Sequence, residues 1–155
     1  ACQKRLQRFL PSDKPYEIVG TNLYTVHQRV ASRFVGGRAI LAGDAAHVNS
    51  PIGGMGMNSG IHDAMNLGDK LTAILHNEND LSVLDRYERQ RRHIAIKTVQ
   101  AQTIRNKRVL AEKDPLVRRQ NHENLRRTAD DPALARQFIL RTSLIDSVRE
   151  AATIQ

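Results

Sequence analysis

A carboxylate, a glycine-rich loop and the start of a predicted helix follow one another closely in this sequence. Asp44 comes just after the apolar run at residues 39–42, so we expect it at the carboxyl end of a buried strand, where ligands bind in α/β sheets. A carboxylate at that edge can accept hydrogen bonds from the hydroxyl groups of a sugar-like ligand. The loop glycines Gly53, Gly54 and Gly56 let backbone N–H groups approach a ligand closely.

The helix that follows the loop should present its N-terminus to the same ligand. The helix is expected to begin at Met57 or Asn58, with Asn58 or Ser59 as its N-cap. First-turn N–H groups have no partner within a helix, and the dipole favours negative charge there by about 0.3–2 kcal/mol per contact. We therefore expect a polar, partly anionic cofactor between Asp44 and this helix. The alternative is a glycine-rich turn and a capped helix without a ligand.

The glycine pattern from Gly54 to Ser59 is similar to a GxGxxG dinucleotide-binding loop, but its surroundings differ. In that motif the glycines follow their strand at once, and an acidic residue ends a second strand about 20 residues later. Here the strand ends near Gly43, and the region around Asp80 is a polar loop. We therefore do not predict an ordinary pyrophosphate loop at this position.

The order of these residues resembles the second FAD-binding motif of the single-component aromatic hydroxylases. These flavoprotein monooxygenases include para-hydroxybenzoate and phenol hydroxylases. The motif consists of residues 43–47, Pro51 and residues 53–67, and the resemblance as a whole covers roughly residues 22–95. A motif of this length and order is specific for the superfamily and much less so for one substrate.

The resemblance implies a role for each part of the motif. Asp44 would accept hydrogen bonds from the ribityl chain of FAD, and Pro51 would lie near the reactive edge of the isoalloxazine ring. The backbone amides of residues 53–58, chiefly those of Met57 and Asn58, would face the pyrimidine side of the flavin. The implied cofactor-binding residues are Gly43, Asp44, Pro51, Gly53, Gly54, Gly56, Met57 and Asn58.

By the same resemblance, the protein would be an FAD-dependent monooxygenase that hydroxylates a phenol-like aromatic small molecule. NADH or NADPH would be the reductant and O2 the oxidant. We expect no catalytic side chain, because the flavin carries the chemistry. A flavoenzyme of the same fold with other chemistry, such as an epoxidase, a ring-opening oxygenase or a reductase, shares all of these residues and stays open.

The resemblance also implies the architecture. The full protein would be α/β, with a Rossmann-like FAD-binding domain and a substrate-domain sheet, whereas this chain should be mainly helical with a few strands. We expect residues 1–28 to end the substrate domain, residues 29–78 to form the flavin-facing part of the FAD-binding domain, and residues 79–155 to form a C-terminal helical segment. A strand-linked GxGxxG is absent from the sequence. We therefore expect the N-terminal half of the same protein to be missing from this chain.

Composition and the distribution of a few residue types exclude several other classes of protein. The 155 residues are 40% apolar and 26% charged, with a formal net charge of +8. No apolar run is long enough for a membrane span, so we expect a cytoplasmic protein without a membrane partner. Cys2 is the only cysteine, which excludes an intramolecular disulfide, and the scattered histidines predict no metal site. For His47, hydrogen bonding or packing is a better prediction than catalysis.

The basic residues are concentrated after residue 84, and on helices such runs usually form a solvated face. Residues 84–110 and 117–127 also motivate a third hypothesis, a basic helical module that binds nucleic acid or an acidic partner. That hypothesis leaves the glycine loop unexplained, so we predict no nucleic-acid partner.

Periodicity and turn residues predict the elements that position these groups. The predicted elements are a helix over residues 2–10, a strand over 17–28, a helical turn over 30–34, a strand over 38–43, and helices over 58–76, 81–108 and 132–150. The helix over 58–76 carries an apolar stripe that includes Ile61 and Met65, and close packing against a sheet would explain Gly68 within it. Asp114 and Asp131 each precede a proline and should cap the next helix.

Overall fold

The computed structural model describes residues 2–155, which are mainly helical with four very short strands. The elements are α1 (Cys2–Phe9), β1 (Arg29–Val30), β2 (Val35–Gly36), β3 (Ala39–Ile40), a 3-10 turn (Gly43–Ala45), β4 (His47–Val48), α2 (Met55–Leu75), α3 (Val83–Ile94), a π-helical segment (Ala95–Gln100), α4 (Ala101–Ala111), α5 (Pro115–Asp130), α6 (Pro132–Thr142) and α7 (Ile145–Thr153). Within residues 2–155, none of the helices combines the length and apolar character that crossing a membrane requires.

The strands form two separate antiparallel pairs. β1 pairs with β4, and β2 pairs with β3, with Val35 opposite Ile40. Gly37 turns the chain between β2 and β3 in the left-handed region, with φ of 59°. The buried strand predicted over residues 38–43 is therefore wrong in extent, since only Ala39–Ile40 is a strand and neither residue is fully buried.

The predictions for residues 17–28 and 30–34 are wrong. Residues 17–28 are irregular and pair with no strand within residues 2–155, so Leu23 is 99% exposed. Alternation does not stabilise a strand whose backbone groups lack a partner. Residues 30–34 form no helical turn because other groups bind their amides: the N–H of Phe34, for example, donates to a Glu88 carboxylate oxygen at 2.8 Å.

Helix α2 begins earlier than predicted. Gly54 is its N-cap, in the left-handed region with φ of 65°, so neither Asn58 nor Ser59 caps it. The Asn58 side-chain amide instead donates to the Gly54 carbonyl oxygen at 3.1 Å. The glycine therefore allows the chain to enter the helix at Met55 without a side-chain cap.

The buried face of α2 is the opposite of the one that its apolar stripe suggests. Met55, Ser59 and Asp63 are its buried residues, whereas Met65 is 65% exposed. The expected packing of Gly68 is also absent, because a Cβ added there would meet nothing within 4 Å. In residues 2–155 no sheet covers the apolar stripe.

The long helix predicted over residues 81–108 is confirmed as α3, the π-helical segment and α4 in uninterrupted succession. Leu84, Tyr87 and Ile94 are buried along it. The π-helical segment has a wider turn and continues the buried face at Val99. The buried side chains form two clusters, one around Phe34 and Tyr87 and one around Ile94 and Val99.

The helix predicted over residues 132–150 is two helices, α6 and α7. Leu144 separates them with φ of 64°, a conformation that costs a leucine about 1–2 kcal/mol. Its side chain is buried in the second cluster, which offsets that cost. The caps are confirmed: Asp114 accepts from the N–H of Leu116 at 2.8 Å, and Asp131 accepts from that of Ala133 at 2.8 Å.

Candidate functional site

A cavity of about 400 Å³ lies between the 3-10 turn after β3 and the first turn of α2. Its walls are formed by Asp44, Val48, Asn49, Pro51, Gly54, Gly56 and Met57. Residues that the sequence analysis selected for a ligand site thus come together around one space. These are Asp44, Pro51, Gly54, Gly56 and Met57.

Three of the predicted site residues lie outside this cavity. Gly43 is behind the Asp44 wall, where its N–H donates to an Asp63 carboxylate oxygen at 3.0 Å. Gly53 lines a neighbouring cavity on the other side of the loop, with φ of 97°, and a Cβ there would collide with the Asn106 amide. The Asn58 side chain is exposed and bound to the loop.

Among residues 2–155, Asp44 supplies the only ionisable side chain in the wall of the cavity. It lies in the 3-10 turn that Gly43 begins with φ of 58°, rather than directly at the end of a buried strand. Its carboxylate is exposed and has no hydrogen bond to any residue within 2–155. It is therefore free to accept hydrogen bonds from a ligand.

The opposite wall supplies hydrogen-bond donors. The first turn of α2 has no side-chain cap and no acidic residue, so its N–H groups and the helix dipole face the cavity unopposed. Asn49 adds a buried acceptor, since its Oδ1 atom has no hydrogen-bond partner within the described residues. The cavity thus fits a ligand that has both hydroxyl donors and carbonyl acceptors, as the ribityl chain and pyrimidine ring of a flavin do.

The 3-10 turn and α2 come into close contact at a pair of glycines. A Cβ on Gly60 of α2 would lie only 3.3 Å from the Cα atom of Gly43. The sequence analysis did not assign Gly60 a role. Its position within a helix could have indicated a role, because glycine there reduces helix stability by about 1 kcal/mol relative to alanine.

A buried polar cluster behind the cavity was also missed. Asp63 is 0% exposed, and its two carboxylate oxygens bind three groups. Oδ2 lies 2.7 Å from His47 Nε2 and accepts from the Gly43 N–H, and Oδ1 accepts from Arg91 Nε at 2.6 Å. The expected hydrogen-bonding role of His47 is confirmed. The solvated position expected for Arg91 is wrong, because its side chain is only 2% exposed.

The surroundings of Asp63 favour the ionised form of its carboxyl group. Burial alone would raise the pKa of Asp63, but the hydrogen bond with His47 and the charge of Arg91 hold that pKa below its ordinary value of 3.8. Burial, followed by the Asp63 charge, raises the pKa of the Tyr87 phenol, which donates to the Leu41 carbonyl oxygen at 2.7 Å. Among residues 2–155, no group of three or more acidic, histidine or cysteine side chains could hold a metal ion.

Known proteins are similar to this chain in sequence and in fold. The family described as "FAD binding domain" matches residues 1–102. The para-nitrophenol 4-monooxygenase of a Pseudomonas species is 36% identical over 88% of this chain, and a 6-hydroxy-3-succinoylpyridine 3-monooxygenase of Pseudomonas putida is 39% identical over 70% of it. The crystal structure of a p-nitrophenol 4-monooxygenase from Pseudomonas putida superposes with a TM-score of 0.77 and 32% identity over 90% of this chain.

The chain spans only part of each of these proteins. It covers 34% and 28% of the two relatives and 36% of the chain in the crystal structure. The family match nevertheless extends over residues 1–102 of 155. The chain therefore belongs to the family described as "FAD binding domain".

Proposed function

We propose that the protein to which this chain belongs is an FAD-dependent monooxygenase that hydroxylates a phenol-like aromatic compound with NADH or NADPH and O2. The observation that supports this most is the cavity between Asp44 and the uncapped N-terminus of α2, in a chain of an FAD-binding family. The two named relatives carry the names of monooxygenases of a nitrophenol and of a hydroxypyridine. Both compounds contain a hydroxylated aromatic ring, which motivates the substrate class.

Different residues of the cavity would bind different parts of FAD. The Asp44 carboxylate would accept hydrogen bonds from ribityl hydroxyl groups. The backbone amides of Met57 and Asn58 would face the pyrimidine side, where the α2 dipole favours negative charge. Pro51 would lie near the reactive edge of the ring, and the glycines of the loop would allow close approach.

When bound, FAD supplies the redox chemistry, namely electron uptake from the nicotinamide and activation of O2. The residues of this chain bind and orient the cofactor. Of the residues that the structure describes, Asp44 is the only ionisable one in the cavity wall, and none there is placed to act as a nucleophile with its base. This agrees with a reaction that takes place at the cofactor.

The architecture of the whole protein is part of the proposal. We infer an α/β fold, with residues 1–28 ending the substrate domain, residues 29–78 facing the flavin and residues 79–155 forming the C-terminal helices. The unpaired segment at residues 17–28 and the uncovered apolar stripe of α2 support this, because both would gain partners in a larger sheet domain. A cytoplasmic location stays a prediction.

The test is a turnover assay with the FAD-loaded protein, NADH or NADPH, isotopically labelled O2 and a panel of phenols that includes para-nitrophenol. We expect nicotinamide oxidation that depends on the phenol, and one labelled oxygen atom on the ring of the product. A ring-opened product, an epoxide, or nicotinamide oxidation without an oxygenated product would contradict the hydroxylase and favour another flavoenzyme of the same fold.

A further inference from the structure

We propose that Asp63, Arg91 and His47 form a buried clamp that positions the cofactor-binding loop, although none of the three lines the cavity. This positioning role rests on the proposed function, because it concerns the same cavity. The clamp joins three parts of the chain: His47 is in β4, Asp63 is in α2 and Arg91 is in α3.

The clamp holds the loop on both sides of Asp44. Immediately before Asp44, the Gly43 N–H donates to Asp63 Oδ2 at 3.0 Å. Three residues after it, His47 Nε2 lies 2.7 Å from the same oxygen. One buried carboxylate oxygen therefore determines where the segment that carries the Asp44 side chain lies relative to α2, whose N-terminus is the opposite wall.

The third group fixes the carboxylate itself. Arg91 Nε donates to Asp63 Oδ1 at 2.6 Å, and its Nη2 donates to the Ser59 carbonyl oxygen at 3.3 Å. The guanidinium thus holds Asp63 and the α2 backbone one turn earlier in a planar, directional arrangement. With both oxygens engaged, the Asp63 carboxylate is held from both sides.

Stability alone is a weak reason for such a group. Apolar residues of similar volume often replace a buried ion pair without loss of stability, because removing two charges from water offsets their attraction. Geometry is a better reason, because hydrogen bonds fix distances that apolar contacts leave adjustable. The Gly43–Gly60 approach, at 3.3 Å for an added Cβ, shows that the walls are held at close range.

His47 depends on the clamp for its polar contact. Its Nδ1 atom is buried and has no hydrogen-bond partner within residues 2–155, so Asp63 is the only polar partner of the ring. Its other ring contact is stacking on Phe34, with a centroid distance of 6.2 Å. Loss of the Asp63 carboxylate would therefore remove a side-chain anchor on each flank of Asp44 at once, leaving the segment held by the backbone pairing of β1 with β4.

The test is a double-mutant cycle on FAD affinity, measured by quenching of flavin fluorescence in the full protein. The variants are Asp44→Asn, Asp63→Asn and the double variant. Because Asp63 would act through Asp44, we expect Asp63→Asn to raise the Kd about tenfold alone and much less in the Asp44→Asn background. Additive effects would overturn the positioning role.

Further variants separate positioning from stability. Val99→Ala removes a buried side chain of the second cluster and serves as a control of reduced stability, with all Kd values measured where each variant is folded. His47→Leu removes one of the two contacts between the loop and Asp63 and leaves the Asp63–Arg91 pair in place, so it keeps the test valid if Asp63→Asn fails to fold. We expect His47→Leu to raise the Kd for FAD severalfold and His47→Gln to restore part of the affinity. The clamp variants should also alter the visible spectrum of bound flavin, whereas Val99→Ala should not.

The possible failures are distinguishable. A wild-type protein that binds no FAD would overturn the proposed function and this role with it. A wild-type protein that binds FAD, together with clamp variants that bind it equally well and with the same flavin spectrum, would overturn the positioning role only.

Discussion

Asp44 and Asp63 both lie near the cavity, but their different surroundings give the two carboxylates different roles. Asp44 is exposed, lines the cavity and has no hydrogen bond to the described residues. Asp63 is fully buried and bonded to Gly43, His47 and Arg91. The first is free to meet a ligand, whereas the second can act only through the protein.

Replacing Asp44 by alanine should weaken FAD binding without weakening the fold. An exposed side chain without internal hydrogen bonds contributes little to stability, whereas lost hydrogen bonds to a charged group cost about 1.5–3 kcal/mol of binding. We expect the Kd for FAD to rise at least about tenfold, measured by flavin fluorescence, with an unchanged melting temperature.

The matched control for Asp44→Ala is Asp85→Ala, which removes an exposed carboxylate in the first turn of α3, away from the cavity. It should leave FAD affinity unchanged. An Asp44→Ala variant that retains the wild-type Kd would remove Asp44 from the binding site.

At the scale of elements, α2 shows how tertiary contacts choose the buried face of a helix. Its apolar stripe is at helical spacing, but its buried positions are Met55, Ser59 and Asp63, each four residues from the next. Residues spaced by four lie on one face of a helix. This polar face meets the 3-10 turn and α3, where Gly43 and Arg91 supply its partners.

Gly60 and Gly68 lie in the same helix and should respond to alanine in opposite directions. A Cβ at Gly60 would press on the Gly43 backbone, so we expect Gly60→Ala to destabilise the protein by about 1–3 kcal/mol and to weaken FAD binding. Gly68 has open space, so we expect Gly68→Ala to stabilise this chain by about 0.5–1 kcal/mol. Denaturant unfolding of both variants measures the difference. Equal effects of the two substitutions would contradict the close approach of the walls.

The N-cap of α6 offers a second prediction at this scale. Asp131 Oδ1 accepts hydrogen bonds from the N–H groups of Ala133 and Leu134 at 2.8 and 3.1 Å. We expect Asp131→Ala to reduce the free energy of unfolding by about 0.5–2 kcal/mol, measured by urea unfolding. The adjacent Asp130→Ala is the control, because that side chain is exposed at the end of α5 and caps nothing. A similar loss in both variants would mean that the cap contributes nothing.

At the scale of the whole molecule, the positive charge is partly used inside the fold. Arg91 is buried, Arg86 donates to the Ile154 carbonyl oxygen at 3.2 Å, and Arg92 donates to that of Ala31 at 3.1 Å. The solvated face expected from the basic run is therefore wrong for Arg91, whereas Arg86 and Arg92 stay partly exposed. This weakens the hypothesis of a basic binding module, because the side chains that motivated it tie distant segments together.

The buried charge of Asp63 should make global stability depend on pH. Its pKa in the folded protein is below the ordinary value of 3.8, so its contribution is complete above that value and is lost as the pH falls through the lower folded value. We expect the wild-type free energy of unfolding to fall more steeply with acid below about pH 4 than that of Asp63→Asn. Urea unfolding at several pH values measures both slopes, and parallel slopes would show that Asp63 is not ionised in the folded state.

The short-range features of this protein could be predicted without its structure. The caps at Asp114 and Asp131, the helix over residues 81–108, and the neighbourhood of Asp44 and the glycine loop depend on residues close together in the chain. Cap side chains bond backbone groups two or three residues away, and helical hydrogen bonds span four. Features of this kind can therefore be predicted from the sequence.

The burial of each helix face and the pairing of the polar groups depend on contacts between residues that are far apart in the chain. Arg91 lies 28 residues from Asp63 along the chain, and His47 lies 16 residues from it. Periodicity reports the apolar face of a helix but not the element that will cover it, so it could not place Asp63 inside or leave Ile61 exposed. Alternation likewise predicted a strand over residues 17–28. That strand does not form because no partner strand within residues 2–155 pairs with it.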